Sequence, residues 1–242
     1  MPPIPYHPAT GEVMNWDIVL SSGFLAFARH LGILRAVEQS SLRVDGVCGT
    51  SSGALVGALW ASGRSTESIA EELRILRPMQ LMAGHWRIWE GIFSLAPLIR
   101  HLERQLPATF EGLERPFAVG VQHLHGGHTL LSTGPLALSV AASCAMPRIF
   151  RPIQIDDAHF VDGGAADRLG LGAWRELRGP RPTLVHEVER TAGRDVRPED
   201  DDSFWIRTPR SRASFWNLRD FDNQLEEAME TAQDVVRTLP SQ

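Results

Sequence analysis

The chain has no lysine: all 24 of its basic residues are arginine. That absence excludes a Schiff-base lysine, a Ser–Lys dyad and the phosphate-gripping lysine of a P-loop. Cysteine is scarce as well. Cys48 and Cys144 are too few for a disulfide framework or a zinc site, and both sit in apolar stretches suited to buried thiols. No run approaches the roughly 18 apolar residues that would cross a bilayer. The proline-rich start, Met1 to Val13, lacks the basic-then-apolar order of a signal peptide. The expectation is a cytoplasmic protein whose membrane contact, if any, is peripheral. Positive charge is not in excess either: the net charge of -5 gives no reason to expect a nucleic acid partner.

With 242 residues, 43% of them apolar and 22% charged, the chain can bury a full core and suits one α/β domain spanning 1–242. Trp16 to Leu20 reads as a buried strand ending in the turn Ser21-Ser22-Gly23. Leu25 to Gln39 has helical spacing, Val44 to Cys48 is a second strand, and Ala54 to Ala61 a second helix. Strand, helix, strand, helix in so short a span predicts a βαβα unit and a parallel sheet, with ligands bound beyond the carboxyl ends of its strands.

Further along, Ser65 to Leu76 reads as a capped helix. Met79 to Leu106, rich in bulky apolar groups, reads as a pair of core-packed helices or as a cap or acyl channel over a site. Phe117 to Gln122 and Thr129 to Ser132 form an expected hairpin across Gly126-Gly127. His123, His125 and His128 gather at that turn without a nearby Cys, Asp or Glu to complete a metal set, so no metal and no cofactor are expected. A helix through Ala142, a strand-turn-strand from Ile153 to Val161, a strand from Thr183 to Val188, an acidic loop from Val196 to Asp202 and a final amphipathic helix from Leu225 to Leu239 complete the reading. The tripeptide Ser-Phe-Trp occurs twice, at Ser203 and Ser214.

Two turns carry chemistry. Gly49-Thr50-Ser51-Ser52-Gly53 is a Gly-x-Ser-x-Gly between a strand and a helix, the pattern of a nucleophile elbow, which exposes Ser51 at the carboxyl edge of a sheet. Gly49 and Gly53 are required because a Cβ at either would strike the neighbouring strand and helix. Asp162, at the end of the run His159-Phe160-Val161, is the strongest candidate for a base. Gly163 and Gly164 after it let a substrate or a second loop approach the carboxylate. An imidazole could also come from His186, since the order Ser51, Asp162, His186 permits a Ser-Asp-His triad.

Taken in order, the motifs resemble the patatin-like lipid acyl hydrolases over roughly Asp17 to Leu171. They are Leu20-Ser21-x-Gly23, His30-x-Gly32-Ile33-Leu34, Gly49-Thr50-Ser51-Ser52-Gly53-Ala54, Ser143-x-Ala145-x-Pro147-x-x-Phe150-x-Pro152 and Val161-Asp162-Gly163-Gly164. The resemblance implies a three-layer α/β/α fold with a mainly parallel central sheet. It also implies a Ser51–Asp162 dyad that cleaves carboxylic esters of acyl lipids, phospholipids included, through an acyl-enzyme. Backbone N–H groups of Gly23 and Phe24 would form the oxyanion site, with Ser52 N–H as a further donor. The chain departs from the family where Gly-Gly-Gly-x-Arg-Gly is usual: here the stretch is Ser22-Gly23-Phe24-Leu25-Ala26-Phe27, with Ala26 at the arginine position. A second departure is Gly170, in place of a usual proline. Bulky residues resist positive φ, which predicts strain in this loop. The alternative to a hydrolase is therefore a catalytically weakened lipid-binding or regulatory protein.

Overall fold

The computed structural model describes residues 15–84, 92–190 and 202–239. Strands β1 (Asn15–Leu20), β2 (Arg43–Thr50) and β5 (Phe117–His123) form the middle of the main sheet, and β9 (Thr183–Val188) and β10 (Ser203–Thr208) extend it beside β1. These five run parallel in the order β10-β9-β1-β2-β5. Beyond them, β6 (His128–Leu131) and β8 (Ala158–Asp162) pair antiparallel with β5, and β7 (Ile153–Ile155) pairs antiparallel with β8. A two-stranded ribbon, β3 (Ala83–Gly84) with β4 (Phe93–Ser94), stands apart.

Helices cover both faces, and the strands supply each face by strict alternation. Ile18 and Leu20, Val47, Val119 and Val121, and Leu184 enter a large core with α1 (Phe27–Glu38), α2 (Ser52–Ala61), α3 (Thr66–Ile75), α4 (Ala96–Gln105), α5 (Leu136–Ser143) and α7 (Phe221–Val236). Val19, Cys48, Ala118 and Val185 point the other way, into a smaller core closed by Leu171 and Trp174 of α6 (Leu171–Arg178). The side-chain period of two puts neighbouring residues on opposite faces, so a sheet buried on both sides needs runs as continuously apolar as these. The three-layer α/β/α architecture expected from the sequence is present. Gly32 lets α1 and α7 touch closely, since a Cβ there would lie 2.3 Å from the Leu225 carbonyl oxygen.

The segment from Met79 to Leu106 is described on either side of residues 85–91. Among its described residues α4 is the one α-helix, opening at Ala96-Pro97 where a proline is tolerated in the first helical turn. Leu81, Met82, Leu95 and Leu98 of the same segment line a cavity, and Leu95 and Leu98 also belong to the buried core. Trp86, Ile88 and Trp89, also counted in that reading, lie outside the described residues, as does most of the acidic loop from Val196 to Asp202. The first Ser-Phe-Trp opens β10, an edge strand not anticipated, and the second lies in the loop leading to α7.

Candidate active site

Ser51 sits between β2 and α2 with φ 55° and ψ -117°, a backbone conformation that non-glycine residues rarely adopt. The surroundings enforce it. A Cβ on Gly49 would lie 2.5 Å from the Gly53 carbonyl oxygen, and one on Gly53 would lie 2.4 Å from the Leu20 carbonyl oxygen. Both glycines are thus demanded by backbone contact, one with the start of the helix and one with the neighbouring strand. Ser143, at the end of α5, accepts a hydrogen bond from the Ser51 N–H at 2.7 Å and donates its own hydroxyl to the Gly120 carbonyl at 2.7 Å. It therefore ties the strained residue to β5.

Asp162 ends β8 and lies beside Ser51, although 111 positions separate them in the chain. Its carboxylate accepts a hydrogen bond from the Gly164 N–H at 2.8 Å, and the Ser51 hydroxyl is near enough to favour its charged form. Burial pushes its pKa up to about 6, and the Gly164 N–H and the nearby Ser51 hydroxyl offset part of that shift. The following glycines are needed for close approach. A Cβ on Gly163 would lie 2.6 Å from the Gly120 carbonyl oxygen, and one on Gly164 would lie 2.5 Å from Ser22 Oγ. Of the two partners anticipated for these glycines, a substrate or a second loop, the loop after β1 fills the space at Gly164, while strand β5 fills it at Gly163.

That loop brings Gly23 and Phe24 to the same site: with Ser51 they border both an apolar cavity and a polar groove. Among the described residues, no protein group accepts a hydrogen bond from the Gly23 or Phe24 N–H. Ser52 begins α2, where N–H groups lack intrahelical acceptors. The expected strain in the loop falls on a different residue than its glycine or Phe24: Leu25 takes φ 48°. Gly23 is required for space, since a Cβ would lie 2.9 Å from that of Ala26 and 3.1 Å from that of Val188.

His186 does not join Ser51 and Asp162. Its Nδ1 lies 2.8 Å from His30 Nδ1 and its Nε2 lies 2.9 Å from Thr208 Oγ1, so both ring nitrogens are engaged away from the carboxylate. His30 Nε2 in turn meets Ser52 Oγ at 3.1 Å. Burial lowers the pKa of His30 to about 3, helped by the charge of Arg168, and lowers that of His186 well below its ordinary value, helped by His30 and Arg29. Two neutral imidazoles thus form a buried hydrogen-bonded string under the elbow. His123 packs on Phe160 with ring centroids 4.6 Å apart, and among the described residues no three His, Cys, Asp or Glu side chains are placed to share a metal.

The apolar cavity runs from Ser51 between Leu55, Leu81, Leu98, Met146, Phe150 and Phe215, and measures about 560 Å³ counting its open mouth. On the other side of Ser51 and Met146, the polar groove is bordered by Ser22, Asp162, Arg168, Glu189 and Arg190. Sequence reasoning passed over three residues of this neighbourhood. Ser143 and His30 stood inside recognised motifs without a role, and Arg168 had no local pattern to mark it.

A serine on a strained strand-to-helix elbow, beside a buried carboxylate at the edge of a mainly parallel sheet, defines a patatin-type α/β protein. The chain belongs to the patatin-like phospholipase family, whose model matches residues 18–173. It is 26% identical over 212 residues to an uncharacterized NTE family protein of Mycobacterium tuberculosis, covering 83% of this chain and 57% of the relative. The chain thus spans somewhat over half the length of that relative. A 57-residue stretch is 40% identical to neuropathy target esterase sws of Drosophila melanogaster, covering 24% of this chain and 4% of that protein. Among solved structures, VipD from Legionella pneumophila matches with a TM-score of 0.56 at 13% identity, over 93% of this chain and 66% of that one. ExoU of Pseudomonas aeruginosa, solved in complex with SpcU, matches with a TM-score of 0.55 at 14% identity, over 93% and 52%. At such identities these two structures speak for the fold alone. No described helix is long and apolar enough to cross a membrane.

Proposed function

We propose that the protein is a serine acyl hydrolase that cleaves carboxylic ester bonds of acyl lipids through Ser51 and Asp162. Family membership supports lipid ester hydrolysis as the class of activity, and one observation carries the assignment of residues: Ser51, on its strained elbow, borders the same groove as the buried Asp162, whose pKa is raised to about 6. An ordinary carboxylate is a weak base toward a serine hydroxyl. A buried one is stronger, because accepting a proton relieves the cost of holding its charge away from water. Asp162 takes the Ser51 proton as Oγ attacks the ester carbonyl. The oxyanion is held by N–H groups of Gly23, Phe24 and Ser52, and the positive end of α2 adds to that field. As the intermediate collapses, Asp162 returns the proton to the departing alcohol and leaves an acyl-Ser51. Asp162 then deprotonates a water that attacks the acyl carbonyl, and the fatty acid leaves as Ser51 regains its proton. The apolar cavity suits the acyl chain and the polar groove suits the alcohol side of the ester, whose oxygen must sit near Asp162.

The test is covalent. A fluorophosphonate probe is expected to label Ser51 in the folded protein, and Ser51→Ala is expected to lose both labelling and hydrolysis of p-nitrophenyl butyrate. Folded wild-type protein that yields no Ser51 adduct would point instead to a lipid-binding member of the family with no turnover.

A further inference from the structure

The loop that carries Gly23 and Phe24 lacks an arginine of its own, because Ala26 fills that position and is fully buried. A guanidinium reaches the loop from elsewhere in the chain. Arg168, six residues after Asp162, donates from Nη2 to the Ser22 carbonyl oxygen at 2.7 Å and to the Val188 carbonyl oxygen at 2.7 Å. Its Nε lies 3.2 Å from Ser22 Oγ, and its own carbonyl accepts the Ser22 N–H at 2.8 Å. One residue therefore grips Ser22 at its nitrogen, its carbonyl oxygen and its hydroxyl. Val188, the second anchor, closes β9 and donates its N–H to Ser21 Oγ at 2.9 Å.

The consequence for Gly23 follows from the peptide bond. The Ser22–Gly23 unit is planar, and no peptide among the described residues is cis, so the Ser22 C=O and the Gly23 N–H point in opposite directions. Pulling the carbonyl onto Arg168 turns the Gly23 N–H away from the guanidinium. That N–H is one for which no described protein group acts as acceptor, on a residue bordering the same cavity as Ser51. We propose that Arg168 is a positioning residue for the oxyanion site, holding the Ser22–Gly23 peptide in donor orientation from outside the loop. Two charge-assisted bonds to carbonyls suit this task better than one, because they fix a plane rather than a point. The proposal rests on the hydrolase reading above.

The experiment compares the rate of Ser51 phosphonylation by a fluorophosphonate in wild type, Arg168→Ala and Arg168→Lys, beside kcat and KM for p-nitrophenyl butyrate. Arg168→Ala is expected to slow labelling and lower kcat by on the order of 100-fold, the scale of losing one oxyanion donor, with KM within about 2-fold. Arg168→Lys should recover part of the rate, and millimolar guanidinium should partly restore Arg168→Ala. If Arg168→Ala does not fold, judged by its thermal transition, the Lys variant carries the test, with an expected loss of roughly 10-fold. Labelling of a folded Arg168 variant at the wild-type rate overturns the proposal. So does a pure rise in KM confined to anionic phospholipid substrates, which would make Arg168 a head-group contact. A wild type that is never labelled sinks the hydrolase reading itself and this proposal with it, an outcome distinct from the other two.

Discussion

Replacing Asp162 with asparagine should make the protein more stable while removing its activity. The carboxyl is 5% exposed, and burial lifts its pKa from an ordinary 3.8 to about 6. A shift of roughly two units, at about 1.4 kcal/mol per unit, means that the ionised side chain destabilises the fold by ~3 kcal/mol relative to its neutral form. The sign follows from proton counting. Between roughly pH 4 and pH 6 the native carboxyl keeps its proton while the unfolded chain has released it. Stability therefore falls as pH rises through that window and loses no more above it. Asparagine is neutral throughout, can still accept from the Gly164 N–H through its carbonyl oxygen, and turns a donor toward Ser51. Below about pH 4 wild type and Asp162→Asn should melt together; at pH 7.5 the variant should be more stable by ~3 kcal/mol, or roughly 6–12 °C in Tm for a chain of this size. Thermal melts of both proteins at the two pH values decide the matter, since other titrating groups cancel in the difference. A gap that does not change with pH, or a variant less stable at pH 7.5, refutes the claim that Asp162 is a charge held at a cost.

On the proposed mechanism the same carboxylate should set the acid limb of the rate. Asp162 must be ionised to accept the Ser51 proton, so kcat/KM for a neutral ester should rise with pH through about 6 and level off above it; a profile flat down to pH 4.5 would remove Asp162 as the base. The cavity predicts a dependence on acyl length. Each methylene buried there is worth ~0.8 kcal/mol, so kcat/KM along a p-nitrophenyl ester series should climb roughly fourfold per carbon until the cavity is filled. A series without slope from acetate to hexanoate would mean that the chain does not enter it.

Much of this protein was legible from its residues in order, because its decisive elements are local. The apolar runs of β1, β2 and β9, the Gly-x-Ser-x-Gly between strand and helix, and Asp-Gly-Gly after a strand end are each set by steric demands within a few residues. The motif series was enough to anticipate the layered fold and to nominate Ser51, Asp162, Gly23, Phe24 and Ser52 together. The failures are equally physical. A string of bulky apolar groups from Met79 to Leu106 satisfies a helix pair and a cavity wall alike, since both need the same side chains; its described residues Leu95 and Leu98 belong to the core and line the cavity at once. An edge strand such as β10 pairs on one side only, and its mixed burial leaves no clear alternation to read.

What the sequence determined by itself, then, is the elbow and its glycines: a turn whose backbone approaches within 2.5 Å of any added Cβ admits no other residue at Gly49 and Gly53. What only the tertiary structure decided is how the charges around that turn are held. His186 was available to Asp162 by chain order, yet it is spent on His30 and Thr208, because β9 lies beside β1 and His186 shares the sheet face of Leu184. Arg168 carried no motif, yet it meets Ser22 across 146 positions. A hydrogen bond depends on where two atoms arrive in space, and for groups this far apart in the chain only the closed sheet brings them there.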